Sequence, residues 1–169
     1  MNRAVFLDRD GTINHNVVRD GRPHGPELVE QFVILAGVRE AIEAFHAVGF
    51  LVIVATNQPA MPRGVVDAMH ALMRKALPLD DIKVCFHADA DNCACRKPKP
   101  GLLLEAAKER DISLAESWMI GDRWRDVEAG KAAGCRTVFI DHGYANEMRP
   151  REPDVIVGSL LEAVPFLIK

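Results

Sequence analysis

The sequence predicts an α/β fold in which helices cover both faces of a parallel sheet. Strand-like and helix-like segments alternate along all 169 residues, and the strand-like runs are continuously apolar. Continuous apolar runs are typical of strands buried on both faces, as the strands of parallel sheets are. The chain shows no internal repeat and no linker, so we expect one Rossmann-like domain over residues 1–169.

Short apolar runs give the predicted strands, and stretches of helical periodicity between them give the predicted helices. The predicted strands cover residues 4–7, 50–55, 82–86, 118–120, 137–140 and 155–157. The predicted helices cover residues 38–48, 65–77, 101–110, 127–133 and a last segment that starts near Leu160. Glycines and prolines punctuate residues 12–36, which we expect to form loops.

Composition and charge exclude several classes of function. The chain has 21 Lys and Arg against 24 Asp and Glu, whereas proteins that bind nucleic-acid backbones usually carry a basic excess. No apolar run approaches the ~20 residues of a membrane span, and the apolar residues before Asp8 are too few for a secretion signal. We therefore expect a cytoplasmic, monomeric protein with neither a nucleic-acid nor a membrane partner.

Polar residues follow three of the predicted strands. Asp8-Arg9-Asp10 follows the first strand, Thr56-Asn57-Gln58 the second and Gly121-Asp122 the fourth. Ligands of open α/β sheets bind beyond the carboxyl ends of the strands. We therefore expect the chemistry to lie where these three segments meet.

Asp8 and Asp10 form an acidic pair directly after the first strand. Their side chains can lean to the same side of an extended chain, and a cation or a shared proton would relieve their repulsion. Mg²⁺ suits such carboxylates, and one of them could attack phosphorus while the other moves a proton. A solvated Asp-Gly turn is a simpler interpretation. An EF-hand fails because Ile13 and Arg19 stand where that loop has glycine and glutamate.

Four segments together resemble the haloacid-dehalogenase superfamily of phosphotransferases over nearly the whole chain. They are residues 6–12 (FLDRDGT), 56–58 (TNQ), Lys97 and residues 121–126 (GDRWRD). The resemblance implies that Asp8 is the nucleophile that forms an aspartyl-phosphate and that Asp10 is the general acid and base. It also implies that Thr56 hydrogen-bonds the transferring phosphoryl group and that Lys97 holds the charge of the nucleophile and the phosphate.

The same resemblance implies a magnesium site and a substrate site. Asp8, the Asp10 backbone carbonyl and Asp122 would hold Mg²⁺, and Asp126 would orient the water molecules of the metal. The expected substrate-binding residues are Asn57, Gln58, Arg63, Arg96 and Arg123. Because only loops are expected above the sheet, we predict an open site without a separate cap domain, which suits a small phosphorylated metabolite.

Three of the four cysteines crowd into one segment with a histidine: Cys85, His87, Cys93 and Cys95. Two facing segments could supply four tetrahedral ligands to zinc, but reduced surface cysteines are an equally open interpretation of the spacing. Phosphatases of the same superfamily that act on histidinol phosphate and on heptose bisphosphate carry such a zinc loop before Cys-Arg-Lys-Pro, which residues 95–98 match. The resemblance therefore implies a structural Zn²⁺ that stiffens this loop.

The resemblance is compatible with more than one substrate. Residues 56–58, Arg63-Gly64 and residues 95–101 are similar to phosphatases that remove the 7-phosphate of D-glycero-D-manno-heptose 1,7-bisphosphate. The short stretch between His87 and Cys93 is instead similar to the histidinol-phosphate phosphatases, which stay the alternative. The alternative of another class is a zinc-stabilised binding module with an inactive site. Arginines near the site favour the bisphosphate, because guanidinium groups match phosphate oxygens two at a time.

Overall fold

A six-stranded parallel sheet forms the centre of the computed structural model, which describes all residues 1–169. The strands and helices are β1 (Arg3–Leu7), β2 (Val17–Arg19), β3 (Arg22–His24), α1 (Val38–Ala47), β4 (Phe50–Asn57), α2 (Arg63–Ala76), β5 (Asp81–Cys85), α3 (Gly101–Arg110), β6 (Trp118–Gly121), α4 (Trp124–Ala133), β7 (Arg136–Ile140), β8 (Val155–Val157) and α5 (Leu160–Leu167). The sheet order is β5-β4-β1-β6-β7-β8, and each neighbouring pair is parallel. The predicted Rossmann-like α/β architecture is confirmed.

Two apolar clusters hold helices against opposite faces of this sheet. Val5 and Leu7 of β1 belong to the cluster that packs against α1, α2 and α5. Ala4 and Phe6 of the same strand point the other way and belong to the cluster that packs against α3. Each large apolar side chain buried in this manner contributes ~1.5–3 kcal/mol to stability. None of the helices is long and apolar enough to cross a membrane.

Residues 12–36 are not the plain loop that we expected. β2 and β3 pair as an antiparallel hairpin, and a short 3-10 turn covers Val29–Gln31. Asp20 and Gly21 have φ values of 50° and 73°, which is the conformation that Asp-Gly favours in a two-residue hairpin turn. The loop expectation was wrong because three-residue strands are too short to show a periodicity. The hairpin is small, and the expected absence of a separate cap domain is confirmed.

The polar segments meet at one edge of the sheet because β4, β1 and β6 are neighbours. Asp8 follows β1, and its backbone N–H donates to the carbonyl of Ile120 in β6 at 2.9 Å. Asn57 ends β4, and Asp122 follows the last residue of β6. Parallel strands end at the same edge, so the residues that follow them converge there.

Candidate active site

A buried lysine bridges two aspartates at the centre of the site. The Nζ of Lys97 donates to Oδ1 of Asp8 at 2.7 Å and to Oδ1 of Asp126 at 2.6 Å. Burial opposes the charged form of this amine, but the carboxylates of Asp126 and Asp8 raise the pKa of Lys97 above its usual value. The ammonium therefore stays charged between two acidic groups.

Three carboxylates lie close enough to share one cation. Ligand oxygens of Asp8, Asp122 and Asp126 lie within 4.8 Å of one another. Burial raises the pKa of Asp122 well above its usual value, with further contributions from Asp8 and Asp126, and burial and Asp126 raise the pKa of Asp8. Three carboxylates and the Lys97 ammonium leave two negative charges in a buried space. This donor set fits a divalent cation such as Mg²⁺.

Asp122 supplies a second indication of a cation. Its side chain is fully buried, and its Oδ1 atom has no hydrogen-bond partner. Buried carboxylate oxygens without a partner are costly and uncommon. A metal ion bound between Asp8 and Asp122 would satisfy this oxygen.

The carboxylate of Asp10 is fixed by donors on several sides. Arg9 donates to both of its oxygens, from Nε at 3.0 Å and from Nη2 at 3.1 Å. Asn14 donates to Oδ1 at 2.9 Å and Gln58 to Oδ2 at 2.8 Å. These hydrogen bonds hold Asp10 at the wall of the cavity that Asp8 also lines.

Arg9 is itself completely buried, and His70 on α2 supports it. The Nη1 of Arg9 lies 3.2 Å from Nε2 of His70. A guanidinium only donates, so this imidazole nitrogen accepts and carries no proton. Burial, together with the charge of Arg9, lowers the pKa of His70 to about 4, which agrees with a neutral acceptor.

A cavity of about 260 Å³ opens above these groups. Its lining includes Asp8, Asp10, Asn57, Gln58 and Lys97, and also the half-buried arginines Arg96, Arg123 and Arg125, which we call its rim. Pro23 and His24 of the hairpin, with Gly25 and Glu27 of the segment after it, form one wall. Asn57 also grips the backbone of Lys97, because its side chain accepts from the Lys97 N–H and donates to the Lys97 carbonyl, both at 3.1 Å.

Two residues expected to contact the substrate lie apart from this lining. The hydroxyl of Thr56 is buried and accepts a hydrogen bond from Gln58 at 2.9 Å. Arg63 begins α2, and its guanidinium stacks over the ring of Phe86 at 4.4 Å from the centroid. Arg96 and Arg123 do line the cavity, together with Arg125, which we had not assigned.

Carboxylates from other loops orient the arginines of the rim. Asp89 accepts from Arg125 at 2.9 and 3.1 Å and from Arg96 at 2.8 Å. Hydrogen bonds from Arg96 and Arg125 lower the pKa of Asp89 to about 2. Arg123 donates in the same manner to Glu147 at 2.7 Å. The guanidinium groups are thus held in defined positions at the mouth of the cavity.

The four expected zinc ligands come together at the end of β5. The three sulfur atoms of Cys85, Cys93 and Cys95 lie 3.1–3.7 Å apart, and Nδ1 of His87 lies 3.3 Å from the Cys95 sulfur and 3.6 Å from the Cys85 sulfur. Ligands ~2.3 Å from a tetrahedral zinc ion stand ~3.7 Å apart. The cluster is therefore compatible with Zn²⁺, and the segment between its cysteines carries Asp89.

Two further residues of the site had no signal in the sequence that we recognised. Asn16 and Tyr144 both hydrogen-bond Oδ2 of Asp122, at 3.0 and 2.5 Å. Tyr144 lies 22 residues beyond Asp122, in a loop without regular structure. Arg125, in contrast, stands inside the GDRWRD segment, where its position next to Asp126 could have marked it.

Comparisons with known proteins agree with this geometry. A HAD-hydrolase-like family model matches residues 94–163. The crystal structure of D,D-heptose 1,7-bisphosphate phosphatase from B. bronchiseptica, complexed with magnesium and phosphate, superposes with a TM-score of 0.83 at 29% identity and covers 98% of each chain. The fold, the site and these matches define a haloacid-dehalogenase-like phosphatase, that is, a phosphoric monoester hydrolase.

Two relatives with the same printed name match nearly the whole chain. The D-glycero-beta-D-manno-heptose-1,7-bisphosphate 7-phosphatase of Pasteurella multocida is 33% identical over 100% of this chain and 98% of its own length. The protein of the same name from Photorhabdus laumondii is 34% identical over 98% of this chain and 95% of its own length. The chain therefore belongs to the haloacid-dehalogenase-like family that contains these phosphatases.

Proposed function

We propose that the chain is a Mg²⁺-dependent phosphatase that works through an aspartyl-phosphate on Asp8, with residues 1–169 forming one phosphatase domain. The observation that carries the proposal is the contact of Lys97 with Asp8 beside a cavity that Asp10 also lines. Lys97 binds Oδ1 of Asp8 and leaves Oδ2 to attack phosphorus. Mg²⁺ at Asp8, the Asp10 carbonyl and Asp122, with Asp126 next to it, would offset the negative charge of the phosphoryl group.

Two displacements complete the proposed reaction. Oδ2 of Asp8 bonds to phosphorus while the bond to the leaving oxygen breaks, and Asp10, which enters this step protonated, gives that oxygen its proton. Water then attacks phosphorus, Asp10 takes a proton from the water, and the bond between phosphorus and Asp8 breaks. Inorganic phosphate leaves, and Asp8 and Asp10 return to their starting states. Such transfers depend chiefly on positioning and charge neutralisation, which the bonds of Lys97 and Asp10 support.

We propose the 7-phosphate of D-glycero-D-manno-heptose 1,7-bisphosphate as the substrate. The names of the relatives support this choice, as do Arg96, Arg123 and Arg125 at the rim of the cavity. A second phosphate remote from the reacting one would meet guanidinium groups, which bind phosphate oxygens in pairs. Asn57 and Gln58 would face the part of the substrate next to the transferring group.

Histidinol phosphate is the competing substrate, because a carboxylate also lies in the cavity. Glu27 of the segment after the hairpin lines it, and its charge could meet the amine of histidinol phosphate. Glu27 is paired with Arg19 at 2.7 Å, just as the arginines of the rim are paired with Asp89 and Glu147. The two substrates would therefore bind to different residues of the same cavity.

Phosphate release distinguishes these substrates. Purified protein with Mg²⁺ is assayed on the heptose 1,7-bisphosphate, on its 1-monophosphate and 7-monophosphate, and on histidinol phosphate. The proposal expects the highest kcat/KM for removal of the 7-phosphate from the bisphosphate, and a higher value for histidinol phosphate would contradict it. Asp8→Asn, prepared in the same way, serves as the control for contaminating phosphatases, because it keeps the shape of the side chain without its charge.

We also propose that Zn²⁺ bound to Cys85, His87, Cys93 and Cys95 is structural. Four protein ligands leave no open coordination position for a substrate or for reactive water. The backbone N–H of Arg96 donates to the sulfur of Cys93 at 3.3 Å, which fastens the chain directly before Lys97. The ion would thus stiffen the segment that brings Lys97 to Asp8.

A further inference from the structure

We propose that Tyr144 is a positioning residue for Asp122. Together with Asn16 it holds one oxygen of this carboxylate, so that the other oxygen stays available to a cation. The inference rests on the cation site of the proposed function, and it adds a residue that lies outside the four segments that carry the resemblance.

A closed triangle of hydrogen bonds surrounds Oδ2 of Asp122. The hydroxyl of Tyr144 donates to this oxygen at 2.5 Å, and the amide of Asn16 donates to it at 3.0 Å. The same amide also donates to the Tyr144 hydroxyl at 2.5 Å. A phenol has a single proton to donate. Because the Tyr144 hydroxyl accepts a hydrogen bond from Asn16, its own proton is directed to Asp122.

The backbone closes a third side of the same oxygen. Gly11 has a φ of 87°, and a Cβ atom built on it would lie 2.1 Å from Oδ2 of Asp122. Oδ2 is thus enclosed by Gly11, Asn16 and Tyr144, whereas Oδ1 is buried without any partner. The protein thus makes hydrogen bonds to one oxygen of the carboxylate and none to the other. The Asp122 carboxylate as a whole belongs to the group of possible ligands shared with Asp8.

The loop after β7 keeps Tyr144 in place. On one side of it, Nε2 of His142 donates to the carbonyl of Gly11 at 2.7 Å. On the other side, the amide of Asn146 donates to the carbonyl of Asp20 in the hairpin turn at 2.6 Å. The loop that carries the phenol is therefore fastened on both sides of Tyr144.

Removal of the Tyr144 hydroxyl should weaken cation binding while the packing of the aromatic ring is kept. Tyr144→Phe keeps the ring and deletes only the donor, which leaves Oδ2 with the single bond from Asn16. Loss of the partner that orients a metal ligand typically costs ~10–100-fold in metal affinity. The effect is expected in the affinity for the cation itself, before any substrate is present.

Mn²⁺ is the probe for the test, because the electron paramagnetic resonance signal of free Mn²⁺ measures binding without turnover. Titration of wild type and Tyr144→Phe should give a Kd that is ~10–100-fold higher for the variant. Asn146→Ala is the matched control, since it removes one side-chain bond of the same loop without touching Asp122. The loop stays fastened there because the Asn146 N–H donates to the Gly21 carbonyl at 2.9 Å and the Asn146 carbonyl accepts from Arg22 at 3.1 Å, so this variant should bind Mn²⁺ like wild type. Thermal unfolding of all three proteins checks that they are folded at the titration temperature.

Tyr144 also supplies a spectroscopic readout, because it is the single tyrosine of the chain. Mg²⁺ neutralises the acceptor of its hydrogen bond, so the wild type should show a tyrosine difference band in the near ultraviolet that Tyr144→Phe lacks. An unchanged Kd in folded Tyr144→Phe would overturn the inference, and so would an equal loss in Asn146→Ala, which would place the effect in the loop. Failure of the wild type to bind Mn²⁺ would overturn the proposed cation site itself.

Discussion

The ammonium of Lys97 lies 2.7 Å from Oδ1 of Asp8, which joins two loops that are far apart in the sequence. Lys97 lies two residues after Cys95 of the cysteine cluster, and the side chain of Asn57 at the end of β4 hydrogen-bonds its backbone. The lysine is therefore positioned by its neighbours and not only by its charge. Its contacts explain how an ammonium can be held deep in the site beside three carboxylates.

Replacement of Lys97 should lower the stability of the fold as well as the catalytic activity. Lys97→Met leaves Asp8 and Asp126 buried without their partner, a change that costs ~3–5 kcal/mol in comparable buried pairs. Lys99→Met is the matched control, because the Lys99 side chain is exposed and bonds only to Asn92, so its effect should stay within ~0.5 kcal/mol. Urea unfolding measures both, and equal stabilities of the two variants would contradict the buried bridge.

The cysteine cluster should hold metal in the purified protein. Elemental analysis should find about one zinc per chain, and Cys93→Ser should lose it together with thermal stability and phosphate affinity. Cys135→Ser is the control, since Cys135 is a buried cysteine before β7 that is not one of the four grouped ligands, and it should keep its zinc. Protein grown with ample zinc but isolated without it would show that the cluster is a set of reduced thiols.

The arginines of the rim should decide the preference for a bisphosphate. Arg125→Ala should lower kcat/KM for the heptose bisphosphate by ~10–100-fold, the value of one lost charge-assisted contact, and should affect the 7-monophosphate less. Arg63→Ala is the matched comparison, because Arg63 packs on Phe86 and not in the cavity. If only Arg63→Ala lost the preference for the bisphosphate, Arg63 and not Arg125 would be the residue that contacts the second phosphate, as the sequence had suggested.

His70 should make the stability of the protein depend on pH. Its pKa falls from 6.5 to about 4 on folding, so the unfolded chain takes up the proton first as the pH decreases. The free energy of unfolding should therefore fall between pH 6.5 and pH 4. In His70→Gln, which can still accept from Arg9, this part of the slope should disappear. His15→Gln, at an exposed histidine, should keep the wild-type slope, and identical slopes in all three proteins would contradict a neutral buried imidazole.

The sequence was most informative where one strand had to be buried on both faces. Runs such as Phe50–Asn57 are continuously apolar until Thr56, and that feature predicted both the parallel sheet and the position of its polar edge. Because parallel strands end at one edge of the sheet, the residues that follow them lie together, and the sequence alone predicts that Asp8 and Asp122 are neighbours. The expected monomeric state and cytoplasmic location stay predictions.

Contacts made by short or irregular segments could not be predicted in this way. The hairpin of β2 and β3 has strands of three residues, and the Asp20-Gly21 turn was its only signal. Tyr144 reaches Asp122 from a loop whose path depends on tertiary contacts such as that of His142 with Gly11. Asp89 likewise orients Arg96 and Arg125 only once the cysteine segment has folded back on itself.

Transfer of the phosphoryl group to Asp8 is tested most directly by acid quenching of the Asp10→Asn variant during turnover of p-nitrophenyl phosphate. This substrate has a leaving group that needs no proton, whereas the attack of water on the aspartyl-phosphate should slow by ~10²–10⁴-fold without the Asp10 base. The covalent species should then accumulate, and mass spectrometry should find one added phosphoryl group on the peptide that contains Asp8, removable by hydroxylamine and absent from Asp8→Asn. Continued release of p-nitrophenol with no phosphorylated peptide, or with the phosphoryl group on another residue, would contradict Asp8 as the nucleophile.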